Sequence, residues 1–323
     1  MKWSVHEILR KRKCGNFSVA DSKDFELGVD NVSDGEVFSI KGFSPYCFDY
    51  DSDHFIFVDV SAGDSESPFL YLDQYERSTK VLVVDRCFLS DYFNFDEERI
   101  KESAGPLFVF SIGRCGSTLL GRLLKSFGFF ELSEPDILTG IDFRRDDFRV
   151  KQIAYLSFLS FCFDSGKKLG DVAVKFRSGS LYSTRVYANL FPGSRFIFLK
   201  RNILDWSRSF VDRFNFDANM LISTLRAGWF SVSCMRKNGL NYLVVNFEDL
   251  LNNPENVLSP IISVFESSRL DNDMLDLALS KNSQKGTGLD KPISVSLEDS
   301  RVSEFLSELD KVKDKEMRKF YHL

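Results

Sequence analysis

Four uninterrupted apolar runs in the last two-thirds of this 323-residue chain most strongly constrain its fold. Their apolar residues are consecutive rather than alternating, which is typical of parallel strands that are buried on both faces. The runs cover residues 107–112, 172–176, 195–199 and 242–245. The segments between them have helical spacing, as at residues 119–127, and residues 302–320 predict one further amphipathic helix. The pattern therefore predicts an α/β fold, an open parallel sheet with helices on both faces that binds ligands at the carboxyl ends of its strands.

The first hundred residues have a different character. They contain 20 acidic and 11 basic side chains, whereas residues 101–323 contain 27 acidic and 31 basic ones. Apolar runs at 54–60 and 80–85 are separated by segments rich in Asp, Ser and Gly, which is typical of strands joined by turns. We therefore expect an acidic, mainly β accessory region over residues 1–104 and a second domain over residues 105–323. The accessory region suits a substrate lid, a partner dock or a dimer element, and the sequence does not choose among these.

Charge and cysteine usage exclude several classes of protein. The basic balance after residue 100 suits a small polyanionic ligand, but no dense Lys/Arg run predicts a nucleic-acid partner. No apolar run approaches the roughly 18 residues of a membrane span, and the N-terminus lacks a signal-peptide core. The six cysteines are scattered and the three histidines have no metal-site spacing. We therefore expect a cytoplasmic protein, and we expect no metal site.

The segment after the first apolar run predicts an anion-binding loop. Gly113 and Gly116 allow a close backbone approach to an anion. Ser117 and Thr118 open a helix whose unpaired N–H groups favour negative charge, and Arg114 adds a permanent cation. The segment differs from an ATP-binding P-loop, because Ser117 follows Gly116 where that motif has Lys.

A second anion-binding pattern follows the third apolar run. Arg201 ends the strand and Ser209 lies eight residues later on a predicted helix. A guanidinium group can grip phosphate oxygens in two-pronged fashion, and a helical hydroxyl two turns on can reach the same group.

These two patterns together resemble the PAPS-dependent sulfotransferases, of the bacterial and carbohydrate type, over about residues 105–290. PAPS is 3′-phosphoadenosine-5′-phosphosulfate. The resemblance implies a P-loop-like fold and transfer of a sulfonate group from PAPS to a hydroxyl, or as second choice an amine, of a small-molecule, carbohydrate or lipid acceptor. The product PAP, 3′,5′-bisphosphoadenosine, is released. It also implies that Arg201 and Ser209 hold the 3′-phosphate and that the loop holds the 5′-phosphosulfate, through Gly113, Arg114, Cys115, Gly116, Ser117 and Thr118.

Two further segments resemble donor-binding parts of the same family. Phe247 follows the last strand where many members have an aromatic residue against the adenosine. A Gly-containing loop resembles the one that closes over the nucleotide, and its implied contacts are Lys285, Gly286 and Thr287.

The resemblance also implies three catalytic residues. Arg114 stabilises the leaving phosphate, and Lys175, at a strand end, is the second cation. The family's usual base, a His two residues after that Lys, is replaced here by Arg177, and residues 101–321 contain no His. Glu134 is therefore the expected general base, with Asp136 in reserve. We expect the helix N-terminus and Arg114 to lower the pKa of Cys115.

Two alternatives stay open at this stage. One is a nucleotide-dependent kinase or other phosphotransferase, which would need a P-loop Lys and a Mg²⁺-binding carboxylate. The other is a non-catalytic scaffold that binds PAP. The sequence determines neither the acceptor nor the oligomeric state.

Overall fold

The computed structural model of the protein describes residues 2–13, 15, 18–30, 37–64, 67–98, 104–141, 148–214, 216–262, 294–296 and 298–323. In chain order, the strands of these segments are β1 Trp3–Lys11, β2 Phe25–Asp30, β3 Ser44–Asp49, β4 His54–Val58, β5 Lys80–Asp85, β6 Leu107–Ser111, β7 Phe130–Ser133, β8 Val172–Lys175, β9 Arg195–Lys200 and β10 Asn241–Asn246. The helices are α1 Leu70–Arg77, α2 Arg86–Phe93, α3 Ser117–Ser126, α4 Asp136–Thr139, α5 Phe148–Ser165, α6 Thr184–Leu190, α7 Ile203–Phe214, α8 Ala218–Lys237, α9 Phe247–Asn252, α10 Pro254–Ile262, α11 Ser300–Asp310 and α12 Lys315–Tyr321.

The second half of the chain builds a five-stranded sheet in the order β10-β9-β6-β8-β7. All of its strand pairs are parallel. Every residue of the central strand β6 is buried, which explains why its sequence is continuously apolar. The predicted fold class, an open parallel sheet flanked by helices, is confirmed.

The order of the strands indicates where a ligand site is expected. From β6 the chain passes to β7 and β8 on one side of the sheet, and then to β9 and β10 on the other. The carboxyl end of β6 is therefore the topological switch point, where open α/β sheets leave a crevice. The predicted anion loop begins at this point.

The N-terminal residues form a separate five-stranded sheet in the order β2-β1-β5-β4-β3. All of its strand pairs are antiparallel, and α1 and α2 accompany it. The predicted mainly β region is confirmed, while the division at residue 104 stays a prediction. Several side chains of this region bond to the second half of the chain: Ser61 Oγ donates to Asp164 Oδ2 over 2.7 Å, and Arg149 pairs with Asp53 over 2.7 Å.

Two predicted element boundaries were wrong. The single C-terminal helix expected over residues 302–320 is two helices, α11 and α12. Asp314 separates them, because its side chain accepts the backbone N–H of Met317 and caps the second helix. The strand expected over residues 54–60 ends at Val58.

Aromatic side chains fill the core of the parallel sheet. The rings of Phe108 and Phe110, on β6, both contact the rings of Phe176 and Tyr187. Much of the unusual Phe content therefore serves packing. No helix within the described ranges is long and apolar enough to cross a bilayer.

Candidate donor and acceptor site

The anion loop connects β6 to α3 in an unusual backbone conformation. Gly113, Arg114 and Gly116 have φ values of +76°, +53° and +81°, all in the left-handed region. At Gly116 a side chain is also excluded, since a Cβ atom there would lie 2.2 Å from the ring of Phe247. The left-handed backbone therefore favours glycine at both positions, while their predicted approach to an anion stays a prediction. The hydroxyl residues Ser117 and Thr118 begin the ten-residue helix α3.

Helix α7 brings the second predicted anion pattern to the loop. Arg114 Nε donates to Ser209 Oγ over 2.9 Å, and Trp206 Nε1 donates to the Gly113 carbonyl over 3.0 Å. Arg201 follows β9, and its Nη1 donates to the Arg114 carbonyl over 3.4 Å. Arg114 thus meets two residues that lie 87 and 95 positions later in the sequence, Arg201 and Ser209.

The electrostatics of this point favour an anion. Burial and the nearby positive charges of Arg213 and Arg201 lower the pKa of Arg114 to about 10, which leaves it charged at neutral pH. Arg201 Nε is buried and makes no hydrogen bond within the described residues. A buried guanidinium N–H of this kind gains much from a phosphate or sulfate oxygen.

Lys175 and Glu134 lie beside the helix that follows the loop. Lys175 is 1% exposed; its Nζ lies 3.4 Å from Thr118 Oγ1 and 3.2 Å from Glu134 Oε1. The strand register accounts for this pairing, because Ser133 on β7 lies opposite Lys175 on β8 and Glu134 comes next. The backbone N–H of Glu134 donates to the Lys175 carbonyl over 2.7 Å. A carboxylate and a cation thus lie together at the carboxyl ends of β7 and β8, on the same side as the loop that follows β6.

Arg177 connects Glu134 to a buried carboxylate. Its guanidinium group lies 3.7 Å from Glu134 and 3.0 Å from Asp136, and it stacks 3.5 Å from the ring centroid of Tyr71. Asp136 is fully buried and also pairs with Lys13 over 3.4 Å. Burial raises the pKa of Asp136 to about 6, and the two cations oppose this shift. The structure therefore places Asp136, the reserve base, in an internal ion-pair network.

A cavity of about 410 Å³ lies beside the loop and Glu134. Gly113, Arg114, Ser117, Thr118 and Glu134 all line it. Aromatic residues make up half of its remaining wall, which also includes Thr139, Arg177 and Ser178. The volume lies within the range of small-molecule sites.

The remaining predicted site residues are Phe247, Cys115 and the Gly-containing loop at residues 285–287. Phe247 begins α9 and packs over Gly116, and its ring centroid lies 5.0 Å from the Arg201 guanidinium. The prediction for Cys115 was wrong in one respect: its thiol is fully buried, and burial raises its pKa above the ordinary value. Only the main chain of Cys115 can therefore contact a ligand. Lys285, Gly286 and Thr287 lie outside the described residues.

Sequence reasoning missed several residues of the site. Arg213 lies four residues after Ser209 on α7. Residues at this spacing share one face of a helix, so the sequence could have predicted that Arg213 lies near Ser209. Phe69 and Tyr71 come from the N-terminal region, and no local pattern predicts that they line this cavity. Among the described residues, no group of three or more His, Cys, Asp or Glu side chains is arranged to hold a metal ion.

No family model matches the chain, and no curated protein does either. Three solved structures similar to it are all sulfotransferases. The sulfotransferase domain of the Synechococcus PCC 7002 olefin synthase has 17% identity and a TM-score of 0.37, over 66% of this chain and 96% of that one. A sulfotransferase from Mycobacterium avium has 12% identity and a TM-score of 0.34, and the match covers 70% of this chain and 81% of that one. A sulfotransferase from Mycobacterium tuberculosis has 13% identity and a TM-score of 0.37, and the match covers 81% of this chain and 89% of that one. These values are too low to transfer residue roles from those proteins to this chain.

Proposed function

We propose that this protein is a sulfotransferase that moves a sulfonate group from PAPS to a hydroxyl group of an acceptor. One observation carries the proposal: Arg114, Arg201 and Ser209 meet beside a glycine-containing loop at the switch point of the sheet. Glu134 lines the cavity beside the loop, and Lys175 Nζ lies 3.2 Å from Glu134 Oε1. This arrangement provides cations for two separate phosphate groups and one carboxylate for a proton.

The donor would bind along the carboxyl ends of β6 and β9. The backbone N–H groups of the loop, with Ser117 and Thr118, would hold the 5′-phosphosulfate at the start of α3. Arg201 and Ser209 would hold the 3′-phosphate, and the half-buried ring of Phe247 would pack against the adenine. A contact with Lys285, Gly286 and Thr287 would close the site over the nucleotide.

The chemical step needs charge stabilisation and one proton acceptor. The acceptor oxygen forms a bond to sulfur while the bond from sulfur to the bridging phosphate oxygen breaks. Glu134 takes the hydroxyl proton, and PAP leaves as a phosphate that needs no proton. Arg114 and Lys175 stabilise the negative charge that develops on the transferred group and the leaving oxygen.

The loop argues against the kinase alternative. A P-loop phosphotransferase uses a Lys directly after the second Gly to neutralise its nucleotide phosphates. Ser117 occupies that position, and the nearest cation of the loop is Arg114. The charge is therefore arranged for a phosphosulfate group rather than for an ATP–Mg²⁺ complex.

The experiment that tests the proposal compares the thermal unfolding midpoint with PAP, ADP and ATP–Mg²⁺. A ligand that binds only the folded protein, at a hundred times its Kd, adds about 2.7 kcal/mol to the free energy of unfolding. We expect PAP to raise the midpoint far more than ADP, and Arg201→Ala to remove that difference. Transfer of ³⁵S from labelled PAPS to a panel of hydroxyl compounds would then identify acceptors.

Arg208→Ala is the matched control for this experiment. Arg208 adjoins Ser209, but its Nε donates to the Val295 carbonyl over 3.0 Å and its Nη1 lies 3.6 Å from Asp205. This variant should keep the wild-type preference for PAP. A larger shift with ATP–Mg²⁺ would support the kinase alternative, and PAP binding without transfer to any acceptor would support the scaffold.

A further inference from the structure

Part of the cavity wall is chemically distinct from the anion loop. This part carries six aromatic side chains: Phe69, Tyr71, Phe176, Phe210, Phe214 and Phe216. The rings of Phe210, Phe214 and Phe216 contact one another, with centroids 5.2–5.7 Å apart. We call the space beside these six rings the aromatic chamber. Rings offer large apolar faces but few hydrogen bonds, so the chamber suits an apolar group better than a sugar.

The N-terminal region supplies one wall of the aromatic chamber. Phe69 and Tyr71 lie at the start of α1 and line the cavity. Val19 also lines it, with 39% of its surface exposed. The neighbouring Ala20 N–H donates to Asp136 over 2.9 Å, which holds this segment against the second half of the chain. The N-terminal residues are thus fixed parts of the cavity.

The same wall contacts the charged groups of the site. The Phe69 ring lies 4.7 Å from Lys175 Nζ, and the Tyr71 ring covers the guanidinium of Arg177. Glu134 has both of these cations within 4 Å, at 3.2 and 3.7 Å. Since carboxylates balance the charges next to the chamber, an acceptor with its own charge would gain little there and would lose its hydration.

We propose that the N-terminal region completes the acceptor-binding end of the site, and that Val19, Phe69 and Tyr71 select an uncharged, mainly apolar hydroxyl compound. This inference rests on the proposed function, because a bound hydroxyl compound is an acceptor only if the protein transfers a sulfonate group to it. The hydroxyl lies at Glu134 and the apolar body extends between the rings. The N-terminal region therefore determines specificity.

Calorimetric titration with 2-naphthol, in the presence of saturating PAP, tests this inference. We expect 2-naphthol to bind, a large excess of glucose not to displace it, and Val19→Glu to weaken its binding by about tenfold or more. Val29→Glu is the matched control, because it makes the same change on the N-terminal sheet at a residue that is 87% exposed and does not line the cavity. Val29→Glu should bind 2-naphthol like the wild type.

PAP binding, measured in parallel, separates this inference from the proposed function. If PAP binds but 2-naphthol does not, or if glucose displaces it, the chamber assignment is wrong and the donor assignment stands. Equal affinities of Val19→Glu and Val29→Glu for 2-naphthol would also overturn it. If 2-naphthol binds and only Val19→Glu weakens it, while PAP does not bind, the chamber is supported and the proposed donor is wrong.

Discussion

Glu134 combines a costly backbone conformation with two cationic neighbours. Its φ of +57° lies in the left-handed region, which costs a non-glycine residue about 1 kcal/mol or more. The bond from its N–H to the Lys175 carbonyl, over 2.7 Å, holds it there. Residues with such strain cluster at functional sites, so the conformation supports the choice of Glu134 as base.

We expect Glu134→Gln to lower the rate of sulfonate transfer by about 10²- to 10⁴-fold. The amide has nearly the same shape as the carboxylate, but it cannot accept the hydroxyl proton. The measurement is ³⁵S transfer from labelled PAPS to a hydroxyl compound that the wild type sulfonates. The midpoint shift with PAP should stay as in the wild type, which would show that the donor site is intact. A variant with wild-type turnover would exclude Glu134 as the base.

At the level of elements, the anion loop depends on contact between parts of the chain that are distant in sequence. Gly116 ends the loop, and Phe247 comes to it from the junction of β10 and α9. The parallel register brings these ends together, because β9 lies between β6 and β10. A change in the loop should therefore alter the packing of the aromatic residue expected to contact adenine.

Gly116→Ala tests this dependence. The new Cβ would lie 2.2 Å from the Phe247 ring, so we expect a lower unfolding midpoint and loss of the further rise with PAP. Gly128→Ala is the matched control at the other end of α3, where φ is +89° and a Cβ would meet nothing within 4 Å. This control should cost only the backbone strain, about 1–2 kcal/mol, and keep the PAP effect. Loss of the PAP effect in both variants would contradict the steric explanation.

At the level of the whole molecule, a buried ion pair ties the N-terminal region to the site. Lys13 is surrounded by the rings of Tyr46, Tyr71 and Tyr75, each centred 5.6–5.7 Å from its Nζ. It pairs with Asp136, whose raised pKa records the cost of burying that charge. Because Asp136 belongs to this ion pair, the free energy of unfolding should depend on pH.

We expect Asp136 to make the free energy of unfolding fall as pH rises from about 4 to about 6. The folded protein holds the Asp136 proton up to a pKa of about 6, whereas the unfolded chain loses it near the usual value of about 3.9. The contribution is therefore full below the unfolded pKa and lost above the folded one, on the order of 3 kcal/mol in total. Urea unfolding at a series of pH values should show this fall in the wild type, and Asp136→Asn should lack it. An unchanged slope in the variant would exclude Asp136 as its source.

The sheet class and the position of the loop after β6 were predictable because their signals are local. A continuous apolar run, two glycines and two hydroxyl residues lie within 13 residues, so residues 108–120 predict both the strand and the loop. The spacing of Arg201 and Ser209 was similarly visible on one strand and helix. By contrast, the pKa of Cys115 depends on which way its side chain points, and the prediction based on the helix terminus gave the wrong direction.

The sequence by itself determined the parallel sheet, the position of the anion loop and the residues that carry charge to it. These follow from hydrophobic periodicity and from the backbone freedom of glycine, which act over a few residues. Only the tertiary structure decided that Lys13 pairs with Asp136, that Arg177 stacks on Tyr71, and that the N-terminal region lines the cavity. These contacts join residues more than a hundred positions apart, and they depend on how two sheets pack, which no local pattern encodes.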